Sequence, residues 1–257
     1  MEKNFFEWVM FFFQSNWQQF LLGTATILLV FLSGTIIGFF LGLGVSLIQY
    51  TKTDDKSSTL FKGFIKFLKI LISIYITIFR GTPMIVQAMV IFYGLPQLIG
   101  LNLDPLPAAL LIVSINTGAY MAEMIRGGVD SVDPGQLEGA QAIGMSHFQA
   151  MISIIFPQAV RNVLPSIGNE FIINIKDTSV LNVIGVTELF FTSKSIAGSY
   201  AKYYEVFIIT SVIYLFLTFT ISLILKSIEK KIDGPKNFEI LPLQDGNNVV
   251  IKKGEGV

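Results

Sequence analysis

The stretch Trp8–Thr51, WVMFFFQSNWQQFLLGTATILLVFLSGTIIGFFLGLGVSLIQYT, contains no Asp, Glu, Lys or Arg. A helix needs about 20 predominantly apolar residues to cross the hydrocarbon core of a bilayer, and this run exceeds that. The polar cluster Gln14-Ser15-Asn16-Trp17-Gln18-Gln19 divides it. Ahead of the cluster, Phe5 to Phe13 is too short to span and dense in aromatics, which suits an interfacial segment over residues 1–19. Behind it, residues 20–49 form a first span. Gly34, Gly38 and Gly42 recur there at the small-xxx-small spacing that lets helices approach closely, either in an ordinary glycine-rich membrane helix or across a dimer contact. Lys3 ahead of an apolar run resembles a secretory signal, but no small-residue cleavage site follows and the run merges into a full span, so the segment is predicted to be retained.

The whole chain agrees with this stretch. Of its 257 residues 52% are hydrophobic and only 14% charged, with 23 Phe and a mean hydropathy of +0.64. A soluble domain carries about 25% charged residues, so an ordinary cytosolic enzyme is excluded. With no Cys and one His, a disulfide scaffold, a zinc or iron–sulfur site and a Ser/His/Asp nucleophile set drop out. Net charge is zero, which gives no reason to expect a nucleic-acid partner.

Further spans follow at about 70–100, 106–126, 155–187 and 206–225. The second is interrupted by Arg80-Gly81-Thr82-Pro83, where proline removes a backbone donor and disfavours helix at Thr82, so it is either one broken span or two short ones. Lysine and arginine decide between the counts. With 70–100 as one span, one side receives the Lys and Arg between 52 and 69, Arg126, Arg161 and those from Lys226 onward, and the other only Lys3, Lys194 and Lys202. That excess marks the cytoplasmic side. The expectation is an all-α membrane protein with five transmembrane helices over 20–232, the N-terminus outside, the C-terminus inside, and a cytoplasmic tail over 233–257.

The connector after the third span reads SVDPGQLEGAQAIGMSHFQAMISIIFP, from Ser131 to Pro157. Asp133 can cap a helix whose first residue is Pro134. The helical run Gln136–Ile143 stops at Gly144, where a positive φ is available for a sharp turn, and a new helix starts near Ser146. This is a short cytoplasmic helix with Gly139, Ala140 and Ala142 exposed to a partner, or else a surface helix lying on the membrane. His147 reads as a solvated connector residue.

Glu138-Gly139-Ala140, Gly144, Ile154 and Pro157 resemble the EAA loop of ABC-importer permeases, with Gly139 in place of the second-position Ala and Phe156 in place of Leu. Arg80-Gly81-Thr82-Pro83 with Val86-Gln87, Tyr120-Met121-Ala122-Glu123 with Arg126-Gly127-Gly128, Asn169-Glu170-Phe171, and Lys176-Asp177-Thr178-Ser179 leading to Val183-Ile184-Gly185-Val186 are similar to the polar-amino-acid (histidine/glutamine/arginine-type) branch. The resemblance covers roughly Trp17 to Asp233. It implies a type I importer fold and a multi-pass subunit of the bacterial cytoplasmic membrane that moves a polar amino acid. The implied partners are a second permease, identical or paralogous, a cytoplasmic ABC ATPase dimer and an external amino-acid-binding protein. It also implies that Glu138, Gly139, Ala140, Gly144 and Pro157 couple the chain to the ATPase. No G-x-x-x-x-G-K-[ST] loop is present, so no cofactor is expected in this chain; ATP and Mg would be bound by the partner ATPase.

Charges inside spans are a functional signal by default. Asn116, Tyr120 and Glu123 fall at i, i+4, i+7 on one face of the third span, and Glu170, Asn174 and Asp177 repeat that spacing on the fourth. Arg80 stands at the break, and Lys176 and Thr178 flank Asp177. Together they offer acceptors for an ammonium and donors for a carboxylate, as an amino-acid zwitterion requires. The alternative is internal pairing, Glu123 with Arg126 or Lys176 with Glu170 or Asp177. The near balance of signs leaves the substrate's charge open. No metal or catalytic residue is expected. Other functions fit less well: an ion-coupled transporter often shows duplicated halves, and a membrane enzyme would need a reactive cluster that is missing.

Overall fold

The computed structural model describes residues 3–51, 58–233, 238–240 and 251–253. Its first helix, α1 (Phe5–Tyr50), runs 46 residues without a break. Asn4 and Glu7 close a capping box at its start, each side chain accepting the other's backbone N–H at 2.9 Å. The polar cluster at 14–19 does not divide it. Gln14, Ser15, Gln18 and Gln19 lie on exposed positions, and the Asn16 amide returns to the Phe12 carbonyl at 3.1 Å. At about 1.5 Å per residue the helix is about 69 Å long, more than twice a hydrocarbon core.

Region 70–100 is two helices, α2 (Thr59–Gly81) and α3 (Met84–Ile99), parted at Thr82-Pro83, whose backbones are extended. α4 (Pro105–Asp130) is a single helix. The expected span at 155–187 is instead segmented. A short α6 (His147–Ala150) leads into a π-turn at Met151–Ile155, then α7 (Phe156–Asn162), α8 (Leu164–Asp177) and a 3₁₀ stretch Thr178–Ile184 ending at Gly185 with φ 86°. Pro157 has no N–H and its ring crowds the carbonyl four residues back; the wider π-turn just before it takes up that conflict, with Phe156 N–H bonded to Met151 O. A second break at Val163-Leu164-Pro165 bends the pair His147–Asn162 and Leu164–Ile184 by 57°. α9 (Leu189–Tyr200) and α10 (Tyr203–Asp233) complete the helices. Residues 238–240 and 251–253 pair antiparallel; the rest of the expected tail lies outside the described residues. Among the described residues, three helices, α1, α4 and α10, are long and apolar enough to cross a membrane, and the bent pair brings the number to four.

The glycine stripe of α1 is used within the chain. A β-carbon at Gly34 would stand 2.6 Å from Val113 Cγ1, one at Gly38 2.7 Å from Thr117 Cβ, and one at Gly42 2.8 Å from the Ala122 nitrogen, so α1 and α4 lie nearly backbone to backbone. The dimer reading of this face is therefore set aside. Asn174 of α8 locks the pair by donating to Thr35 Oγ1 (2.9 Å) and Thr117 Oγ1 (3.0 Å). Around this axis Phe12, Phe20, Ile27 and Phe31 pack against Leu189, Ile196 and Val206. α3 and the 3₁₀ stretch close the far side over Ala108, Ile112 and Val113.

Candidate functional site

Two places concentrate polar chemistry. The first is the break between α2 and α3. Gln87, one turn into α3, donates through Nε2 to Thr82 O (2.8 Å), Phe79 O (2.9 Å) and Thr82 Oγ1 (3.0 Å), satisfying the acceptors that the interrupted helix leaves open. Its Oε1 accepts from Asn116 Nδ2 at 2.8 Å. Beside this knot lies a cavity of about 330 Å³ lined by Thr82, Pro83, Met84, Asn116, Tyr120, Glu170, Ile173 and Asp177, within the size range of small-molecule sites.

The predicted residues divide at this cavity. Asn116, Tyr120 and Asp177 line it, and Glu170 joins them, 5% exposed and without a hydrogen bond or ion pair among the described residues. Glu123 is committed elsewhere. Its carboxylate takes a bidentate pair from Arg126 (2.7 and 3.1 Å) and stands 3.5 Å from Arg80 Nη1. Arg126 also binds Asp130 at 2.8 Å, and the Arg80 guanidinium lies 5.8 Å over the Tyr120 ring, at the cavity's edge. Lys176 is exposed and forms no ion pair among the described residues, so its pairing with Glu170 or Asp177 does not form. Thr178 is buried and spends its hydroxyl on Ile175 O at 2.8 Å.

The second place is the connector. α5 (Pro134–Ala142) begins as its sequence suggests, Asp133 Oδ1 accepting from Gly135 N–H at 2.7 Å. It ends at Gly144 with φ 88°, Gly144 N–H reaching Gln141 O and Met145 N–H reaching Ala140 O. Glu138, Gly139 and Ala142 are exposed, with Ile143 79% and Phe148 60% exposed beyond them. Ala140 departs from expectation. It is 3% exposed and shares the inward face with Leu137, which packs on Val132, Met151, Ile155 and Phe156, so it seats the helix rather than facing outward. Pro157 is exposed after the π-turn, and Phe156 is buried edge-on to Tyr50. His147 is not a free connector residue: its Nε2 lies 3.0 Å from Tyr50 O. A carbonyl only accepts, so Nε2 carries the proton and the ring ties the connector to the end of α1.

Sequence reasoning missed Glu188. It is 1% exposed and caps α9 by accepting from Phe190 and Phe191 N–H (2.7 and 2.6 Å), with the Tyr214 hydroxyl at 3.2 Å. An acidic residue directly before an apolar helical run was the available signal.

A polar cavity beside a broken helix in an apolar bundle is the arrangement in which membrane transporters build substrate sites. The chain belongs to the family of binding-protein-dependent transport system inner membrane components, which matches residues 60–234. It is 40% identical over 176 residues to the probable amino-acid permease YxeN of Bacillus subtilis (68% of this chain, 79% of the relative) and 35% identical over 210 residues to the arginine transport permease ArtQ of the same organism (82% and 90%). The glutamine transport permease GlnP of Escherichia coli K12 is 40% identical over 159 residues (62% and 73%). Among solved structures, an amino acid ABC transporter crystallised with histidines aligns at TM-score 0.75 and 35% identity, covering 90% of this chain and all of that one. The methionine transporter MetNI shares the fold at TM-score 0.65 and 17% identity, covering 84% and 96%. The chain is a permease subunit of an amino-acid ABC importer, not an enzyme; permeases of this family work with an ATPase.

Proposed function

We propose that this subunit crosses the bacterial cytoplasmic membrane five times, with its N-terminus outside, and passes a polar amino acid through the cavity beside Thr82-Pro83. A second permease, identical or paralogous, would complete the membrane part, an external binding protein would deliver the substrate, and a cytoplasmic ATPase dimer would bind ATP and Mg. Asn116, Tyr120 and Asp177 hold the substrate together with Glu170, and Arg80 at the rim is the donor nearest for its carboxylate. Glu123 positions Arg80, Thr178 fixes the end of α8 through Ile175 O, and Lys176, exposed and outside the cavity lining, does not touch the substrate there.

The observation that carries this reading is Glu170, a buried carboxylate with no hydrogen bond or ion pair among the described residues, lining the same polar cavity as Asp177. Leaving a buried charge unpaired is costly, and an ammonium group entering the cavity relieves it. With Arg80 held by Glu123 and Lys176 exposed, no basic side chain among the described residues lines the cavity, so its charge favours substrates with a free amino group.

Glu138 on α5 makes a charge-assisted contact with the ATPase, Gly139 keeps that surface flat, and Gly144 and Pro157 set the angles at which α5 and α7 leave the connector. In proteoliposomes containing the complete importer, Glu138→Ala and Gly144→Val should reduce amino-acid uptake at least about tenfold, a barrier change of about 1.4 kcal/mol. Insertion of the subunit should be unaffected. Uptake at the wild-type rate in both variants would remove the connector from the coupling step.

A further inference from the structure

The cytoplasmic half of α2 has two unlike faces. Lys62, Lys66 and Lys69 recur at i, i+4, i+7, one stripe on a helix of 3.6 residues per turn, and Ser73 continues it. Leu60, Phe64, Phe67 and Leu71 occupy the opposite face and are 87%, 57%, 57% and 45% exposed. The lysine stripe does not stand free of the bundle. Lys69 Nζ donates to Thr51 O at 2.9 Å, so the stripe lies beside the residue that caps the C-terminal end of α1. Between them is an open groove of about 580 Å³ lined by Thr51, Lys62, Lys66, Lys69, Ser73 and the aliphatic Ile65 and Ile70.

We propose that this groove binds the headgroup phosphate of an anionic phospholipid of the inner leaflet. The charge complements a phosphate, with two lysines, Lys66 and Lys69, reaching the groove beside Lys62. Ile65 and Ile70 supply an apolar wall for the glycerol and the first methylenes. The exposed apolar face of α2 (Leu60, Phe64, Phe67 and Leu71) meets the acyl chains, while the long lysine side chains reach the headgroup level. A membrane protein carries such a face within reach of the lipid that fits it, and basic residues next to a membrane helix attract the anionic cytoplasmic leaflet. The groove lies on α2, apart from both the cavity and α5, so the assignment rests only on the orientation proposed above.

The test reads lipid retention directly. The purified permease–ATPase complex is equilibrated in detergent with equal amounts of phosphatidylglycerol and phosphatidylcholine, and bound lipid is counted by native mass spectrometry. Phosphatidylglycerol should be retained at least about tenfold over phosphatidylcholine. Lys66→Ala and Lys69→Ala should each lower that retention about fivefold, while Lys226→Ala/Lys230→Ala on α10, which removes as many charges as the double Lys66/Lys69 variant, leaves it unchanged. Equal retention of the two lipids would overturn the proposal. So would an undiminished preference in the double Lys66/Lys69 variant. Displacement by an equal concentration of inorganic phosphate would assign the groove to a free anion instead, and loss of the ATPase with lipid retention intact would assign it to a protein contact. Transport need not be measured, so failure here leaves the importer reading standing.

Discussion

Gly139 occupies the second place of the EAA pattern, where alanine is the residue of the resembled loop. A β-carbon added there meets nothing within 4 Å, and a helical glycine costs about 1 kcal/mol relative to alanine. Gly139→Ala should therefore raise stability by up to about 1 kcal/mol, seen as a higher melting temperature of the purified complex; a lower one would show that the position is strained. Glu170 and Asp177 are two helical turns apart on α8, roughly 10 Å along its axis. Glu170→Gln keeps the shape of the side chain and removes its charge. Charged hydrogen bonds contribute about 1.5–3 kcal/mol, so whichever of a panel of polar amino acids the permease–ATPase complex binds, its binding should weaken about tenfold or more, with protein yield unchanged. Unaltered arginine, glutamine and histidine binding in both Glu170→Gln and Asn116→Ala would place the substrate elsewhere. Much of this cavity could be read ahead of the structure, because Asn116, Tyr120 and Asp177 declare themselves by helical spacing and by polarity in an apolar context. The fates of Arg80 and Lys176 could not. Whether a guanidinium reaches a cavity or a neighbouring carboxylate depends on the rotation of two helices about a proline break, which no spacing encodes.

At the scale of elements, the reading from residues was strongest where caps and breakers act locally. Asp133-Pro134 and Gly144 bracket α5 within a residue or two of expectation. It was weakest where a polar run had to be weighed against helical continuity. Residues 14–19 contain neither Gly nor Pro, glutamine is a good helix former, and the capping box upstream fixes a start, so α1 passes through. The span expected at 155–187 was apolar enough on average, yet Pro157 and Pro165 divide it into jointed pieces. The α1–α4 contact offers a sharp test of a different kind. Gly38→Val would force branched carbons into Thr117 and the Ser114 carbonyl, which stands 3.0 Å from a hypothetical β-carbon. Overpacking of that sort costs about 1–3 kcal/mol. A fall in thermal stability is expected for Gly38→Val and not for Gly44→Val, since Gly44 on the same helix has open space around it.

For the whole molecule, the sidedness is the property with the widest reach. The chain lacks cysteine, so single cysteines introduced at exposed positions report unambiguously. In intact cells, a membrane-impermeant maleimide should label Ser199→Cys, at the exposed end of α9, and should label Gln141→Cys on α5 only after the membrane is opened. The reverse pattern would invert the topology and detach α5 from any cytoplasmic ATPase. The jointed fourth region gives this arrangement its mechanical meaning. Its lower arm, π-turn and α7, joins α5 through the turn at Gly144 and the short α6, and its upper arm, α8, carries Glu170 and Asp177. A rod bent by 57° at Val163 would act as a crank if α5 is pulled: the pull along the lower arm would reach the upper arm as a swivel, turning two acidic groups together about one pivot.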